Sequence, residues 1–109
     1  MFSAQKPTDA PTNIRELYVT PTSLAYGFDQ VSDGGSNGVI MGYRVYYRVD
    51  NGMQGSTQSM DISKSSTRFV LSGLKENIKY RVWMTAVNSK GEGPQSQPTI
   101  AMTAKSRAG

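Results

Sequence analysis

The chain has 109 residues, 37% of them hydrophobic, and twelve Lys and Arg against eight Asp and Glu give a formal net charge of +4. Cysteine and histidine are both absent, which removes disulfides, thiolate nucleophiles, cysteine-ligated metals, the commonest general base and the commonest neutral zinc ligand. The length suits one domain with a single core, and no enzyme activity is expected of it. Its basic residues are scattered rather than run together, so the charge reads as a mildly basic solvated surface and not as a nucleic-acid arm. No apolar stretch approaches the roughly 20 residues that cross a bilayer. Met1 to Lys6 lacks the charged and apolar regions of a signal peptide. That fits a cytoplasmic protein and equally a domain cut from a longer chain.

Residues 1–10 carry no period and read as a leader or linker. From there the hydrophobic period is two. Short strands are expected from Ile14 to Val19 and from Ser23 to Phe28. Asp33-Gly34-Gly35-Ser36-Asn37-Gly38 is too polar and glycine-rich to pack and reads as a mobile end loop. Tyr43, Val45 and Tyr47 then alternate with Arg44, Tyr46 and Arg48, the clearest strand pattern in the chain. Asp50-Asn51-Gly52 supplies the residues of a tight reversal. Thr57 to Ile62 and Thr67 to Leu71 follow as strands, and Tyr80 to Ala86 repeats the clean alternation. Thr99 to Thr103 is the last strand, and residues 105–109 read as a tail or linker. Seven short strands with turn signals about every ten residues predict an all-β, two-sheet antiparallel sandwich.

Several runs resemble the fibronectin type III domain, over residues 11–104. They are Pro11-Thr12-Asn13-Ile14, Thr20-Pro21-Thr22-Ser23-Leu24, and Asn37-Gly38-Val39-Ile40-Met41-Gly42-Tyr43. Leu71-Ser72-Gly73-Leu74 with Tyr80, Ala86-Val87-Asn88, and Gly91-Glu92-Gly93-Pro94 with Ser96 continue the pattern. The resemblance implies an immunoglobulin-like topology whose core holds Leu24, Tyr26, Phe28, Tyr43, Val45, Tyr47, Phe69, Leu71, Leu74, Val82, Met84 and Ala86. Leu74 and Tyr80 have the spacing of a tyrosine corner, in which the phenol bonds backbone near Leu74 to Asn77. Phe28 stands where the family usually has tryptophan, and Glu76 where it often has proline. Glu16 falls at an inward position of the first strand, so a bulge that turns Leu17 inward is expected.

If the two clearest strands are neighbours, Arg44, Tyr46 and Arg48 share an outward face with Arg81, Trp83 and Thr85. Arg, Tyr and Trp are the types enriched at binding hot spots, so Arg44, Tyr46, Arg48, Arg81 and Trp83 form a candidate protein-binding surface. The alternative is a self-shielding ladder, with guanidinium groups above and below the indole. Lys90-Gly91-Glu92 sits where some family members carry Arg-Gly-Asp, but it lacks the guanidinium fork and lengthens the acidic arm, so integrin binding is not expected. Asp29 and Asp33 lack calcium-loop spacing and read as solvated loop carboxylates. Arg44, Arg48, Arg81 and Lys79 form no dense cluster, so sulfated polysaccharide is a weak candidate partner.

No catalytic, cofactor or metal residues are expected, and no nucleic acid or small-molecule substrate. The domain is similar to those of cell-surface adhesion molecules and receptor tyrosine phosphatases, and the resemblance implies a spacer and interaction module of a larger multidomain cell-surface adhesion molecule or receptor, with protein partners or neighbouring domains of its own chain. An intracellular muscle or cytoskeletal scaffold module and an accessory domain of a secreted enzyme are the alternatives, so the compartment stays open. The isolated domain is expected to be monomeric.

Overall fold

Alternating apolar and polar residues can bury one face of a strand only if each strand keeps its register, and that requirement sets the architecture. The computed structural model describes residues 5–50 and 56–106. Strands β1 (Thr12–Val19), β2 (Leu24–Asp29) and β5 (Arg68–Leu71) form one sheet in the order β1-β2-β5. The second sheet places β4 (Gln58–Ser63) beside β3 (Gly42–Val49), and β3 beside β6 (Lys79–Asn88). The far edge of β6 is shared by a two-residue strand, β7 (Gly91–Glu92), and by β8 (Thr99–Met102). All pairings are antiparallel. The sequence shows seven of these strands; β7 is too short to carry a period. The reversal at Asn51 and Gly52 lies outside the described residues.

The chain leaves the β6 edge between β7 and β8 because Pro94 and Pro98 have no N–H to give a ladder. Ser96 partly replaces the missing bonds. Its N–H donates to Met84 O at 2.8 Å, and its hydroxyl accepts from Met84 N–H at 2.9 Å.

Between the sheets lie Leu24, Tyr26, Phe28, Tyr43, Val45, Phe69, Leu71, Leu74, Tyr80, Val82, Met84, Ala86 and Ala101. Each large apolar side chain among them contributes about 1.5 to 3 kcal/mol by leaving water. Phe28 meets Tyr43 edge to face at 5.2 Å and leans on Phe69 at 6.1 Å, so a phenyl ring fills the position usually held by an indole. Tyr47, expected in the core, is only half-buried and packs against its margin. Leu74 is buried, and the Tyr80 hydroxyl accepts from Lys75 N–H at 2.9 Å.

Two further expectations are corrected. The first strand does carry irregularities, between Thr12 and Arg15 and between Glu16 and Tyr18. Leu17, however, does not turn inward: it is 47% exposed. Glu16 pairs with Tyr26 and Tyr18 with Ala25, leaving Leu17 as the extra residue that the bulge ejects to solvent. Ile14 and Val19 supply the apolar contacts of this strand instead.

The polar loop at 33–38 also packs. It holds one helical turn, α1 (Asp33–Ser36), and both Gly35 and Ser36 are buried. What covers it is the segment before β1. Thr8 and Asp9 N–H groups both donate to Gly35 O, and Asn37 Nδ2 donates to Lys6 O at 2.9 Å. The buried Asn88 amide ties the same corner, donating to Gln5 O at 2.7 Å and Ser36 O at 3.0 Å. A side chain at Gly35 would collide with Asp9, and one at Gly93 would lie 2.7 Å from Pro7 O.

Tyr80→Phe removes the acceptor of Lys75 N–H, and an unpaired backbone donor costs about 1 to 3 kcal/mol. The urea midpoint is expected to fall by that amount of stability with m unchanged; an unchanged midpoint would show that this bond adds nothing.

Candidate functional site

The β3–β6 ladder runs unbroken from Gly42 opposite Val87 to Val49 opposite Tyr80. With a period of two, this register sends Tyr43, Val45, Val82, Met84 and Ala86 into the core. The same register sends Arg44, Tyr46, Arg48, Arg81, Trp83 and Thr85 out. They pair in rows, Arg44 with Thr85, Tyr46 with Trp83, and Arg48 with Arg81. Ile100 extends the last row on β8, where it lies opposite Arg81 and is 50% exposed.

At the centre, the rings of Tyr46 and Trp83 stack with centroids 5.7 Å apart and planes 11° from parallel. Such a pair adds about 0.5 to 1.5 kcal/mol beyond its buried area. The indole Nε1 is buried with no acceptor among the described residues.

Above the stack lies a carboxylate that sequence reasoning missed. β7 sets Glu92 opposite Val87, and its side chain folds back over the sheet. It accepts from the Tyr46 hydroxyl at 2.5 Å, from the Thr85 hydroxyl at 2.7 Å and from Arg44 Nη1 at 3.1 Å. Arg44 Nε also donates to Asp61 on β4 at 2.7 Å. Burial alone would raise the Glu92 pKa, but donation by Tyr46 and Thr85 and the charge of Arg44 more than offset it and hold the pKa below the ordinary value of 4.5. The Tyr46 phenol is pushed up, first by burial and then by donating to that carboxylate. Arg44 is held firmly charged, chiefly by its bond to Asp61.

Glu92 sits beside two glycines in a stretch that reads as a turn, and Asp61 is a single acid on an edge strand. Neither carries a local signal. Only the pairing of four strands, β4-β3-β6-β7, brings them to Arg44.

Below the stack the charge balance reverses. Arg48 and Arg81 face each other directly, and Arg81 Nε donates to Asp50 at 3.3 Å. Lys79 is exposed two residues before Arg81, on the same face, opposite Met102.

The other sequence candidates stand apart from this face. Glu92 is engaged on the sheet rather than displayed with Lys90 as an acidic loop tip. Asp29 is exposed and faces Arg15 at 3.6 Å on the opposite sheet. Among the described residues no group of three or more acidic side chains is placed to hold a metal ion.

The fibronectin type III domain model matches residues 9–102. The chain belongs to that family. It is 33% identical to mouse (Mus musculus) Contactin-3 over 106 residues, covering 96% of this chain and 10% of that protein. It is 32% identical to mouse (Mus musculus) Neogenin over 99 residues, covering 91% of this chain and 6% of that protein. The chain thus spans a tenth or less of these relatives, which are multidomain adhesion and receptor proteins. Among solved structures, the third fibronectin III domain of human KIAA0343 protein superposes with a TM-score of 0.87 at 28% identity, covering 97% of this chain and 90% of that one. This fibronectin type III domain is therefore homologous to modules of cell-surface adhesion proteins.

Because folding holds Glu92 below its ordinary pKa of 4.5, its carboxylate stabilises the domain above that value. The contribution is lost as pH falls through the lower folded pKa. Melting temperatures followed from about pH 6 down to about pH 2.5 are expected to fall more steeply for the wild type than for Glu92→Gln. Parallel curves would mean that the network contributes no pH-dependent stability.

Proposed function

We propose that this fibronectin type III domain is a non-catalytic spacer and protein-interaction module of a larger cell-surface adhesion molecule or receptor. We propose further that it meets its partner through the outward face of β3 and β6, at Arg44, Tyr46, Arg48, Arg81 and Trp83. The observation that carries this reading is the Tyr46–Trp83 stack, which sits on the outside of the sandwich where the core does not need it. Rigid aromatic side chains flanked by arginines supply contact area at low entropic cost, the pattern of a binding hot spot. The Glu92 network holds one edge of that face in a fixed geometry, so less order has to be imposed when a partner docks.

The adhesion and receptor relatives favour this setting over the scaffold of a muscle filament or an accessory domain of a secreted enzyme. In either setting the isolated domain is proposed to be monomeric, with partners supplied by other chains or by neighbouring modules of its own.

The test is a cell-aggregation assay with the full-length parent protein. Trp83→Ala is expected to cut aggregation severalfold while the isolated variant domain still unfolds cooperatively. Wild-type aggregation by the folded variant would remove the surface and leave the domain a spacer.

A further inference from the structure

The two halves of the β3–β6 face differ in charge. Above the Tyr46–Trp83 stack, one cation, Arg44, meets two carboxylates, Asp61 and Glu92. Below it, Arg48, Arg81 and Lys79 share the face with Asp50. Like charges directly opposite on paired strands are unfavourable, yet Arg48 and Arg81 are held in that position by the longest unbroken ladder in the fold. Asp50 reaches Arg81 only at Nε and only at 3.3 Å. Arg81 is still 43% exposed at its side chain, which leaves part of its donor fork accessible to another acceptor.

Beside this cationic half the surface is apolar. Ile100 lies across from Arg81, and Met102 across from Lys79, 50% and 45% exposed. A surface that is cationic and apolar at once fits an acidic protein segment with interspersed aliphatic side chains. A sulfated polysaccharide would use the cations and leave Ile100 and Met102 in water. We infer that the Arg48–Arg81–Lys79 half of the face is a docking site for an acidic, aliphatic-containing segment of a partner protein. A carboxylate takes the outer donors of Arg81, and an apolar side chain lies on Ile100 and Met102. The inference rests on the proposed interaction surface and specifies its partner.

Trp83 is the only tryptophan in the chain and adjoins the site, so its fluorescence reports occupancy without a label. The probe is an acetylated hexapeptide alternating glutamate with leucine, titrated against the whole domain at low salt. A glutamine-for-glutamate version and a heparin hexasaccharide are run beside it. Saturable change is expected with the acidic peptide and not with the glutamine peptide. Arg81→Glu is expected to weaken binding tenfold or more. Arg68→Glu, which makes the same charge change on the opposite sheet, is expected to leave it unchanged. Asp50→Asn, which removes the competing carboxylate, is expected to tighten it severalfold.

Absence of peptide binding, equal weakening by Arg81→Glu and Arg68→Glu, or Arg81-dependent binding of heparin alone would each overturn the inference. If the peptide fails while aggregation still depends on Trp83, only the acidic partner is wrong. If both fail, the interaction surface itself is wrong.

Discussion

The pairing of β3 with β6 is the constraint on which the rest depends. Eight consecutive residue pairs fix which side chains of both strands are buried, and a slip of one residue would exchange the two faces entirely. Val45, Val82, Met84 and Ala86 are completely buried, so a slip would send apolar groups into water and push arginines into the core. Burying an unpaired guanidinium costs far more than any surface contact returns. The register is therefore enforced from the inside, and the outward rows of Arg, Tyr and Trp come with it.

This origin explains how a row with two facing arginines can persist. Surface ion pairs contribute about 0 to 1 kcal/mol each, so Arg81–Asp50 and Arg44–Asp61 are minor terms beside the core. The Glu92 network acts mainly on geometry: three donors converge on one carboxylate and hold Arg44, Tyr46 and Thr85 relative to β7. One half of the face is thereby neutralised and fixed. The other half keeps the cations that the register places there, and the core tolerates the small cost.

The parts of the fold legible in the sequence were those governed by local period. Tyr43 to Val49 and Tyr80 to Ala86 alternate cleanly because one face of each is fully apolar, and their partnership follows from the family resemblance. β1 was less legible. Its apolar residues Ile14, Leu17 and Val19 fit no single period, and only the pairing with β2 shows that Leu17 is the ejected residue. The packing of the loop at 33–38 is illegible for a related reason. Composition marks Gly35 and Ser36 as solvated, whereas their burial comes from a segment some twenty-five residues earlier that carries no hydrophobic pattern of its own. Asn88 likewise reads as a turn residue, although its amide hydrogen bonds reach across the chain to Gln5 and Ser36.

The segment before β1 also bears on the candidate site. Pro7 packs against Gly93 closely enough that a Cβ there would meet its carbonyl at 2.7 Å, and Lys6 lies over Gly91. These two glycines flank Glu92. Their lack of side chains lets the segment approach, and its approach fixes the turn from outside while Val87 pairs with Glu92 from within. Gly91 also has φ +128, a conformation that side chains rarely adopt. Two independent demands thus fall on Gly91, and its neighbour is the carboxylate that orders Arg44 and Tyr46. Residues that read as a linker at one end of the chain hold in place the acid that shapes a face built from its middle.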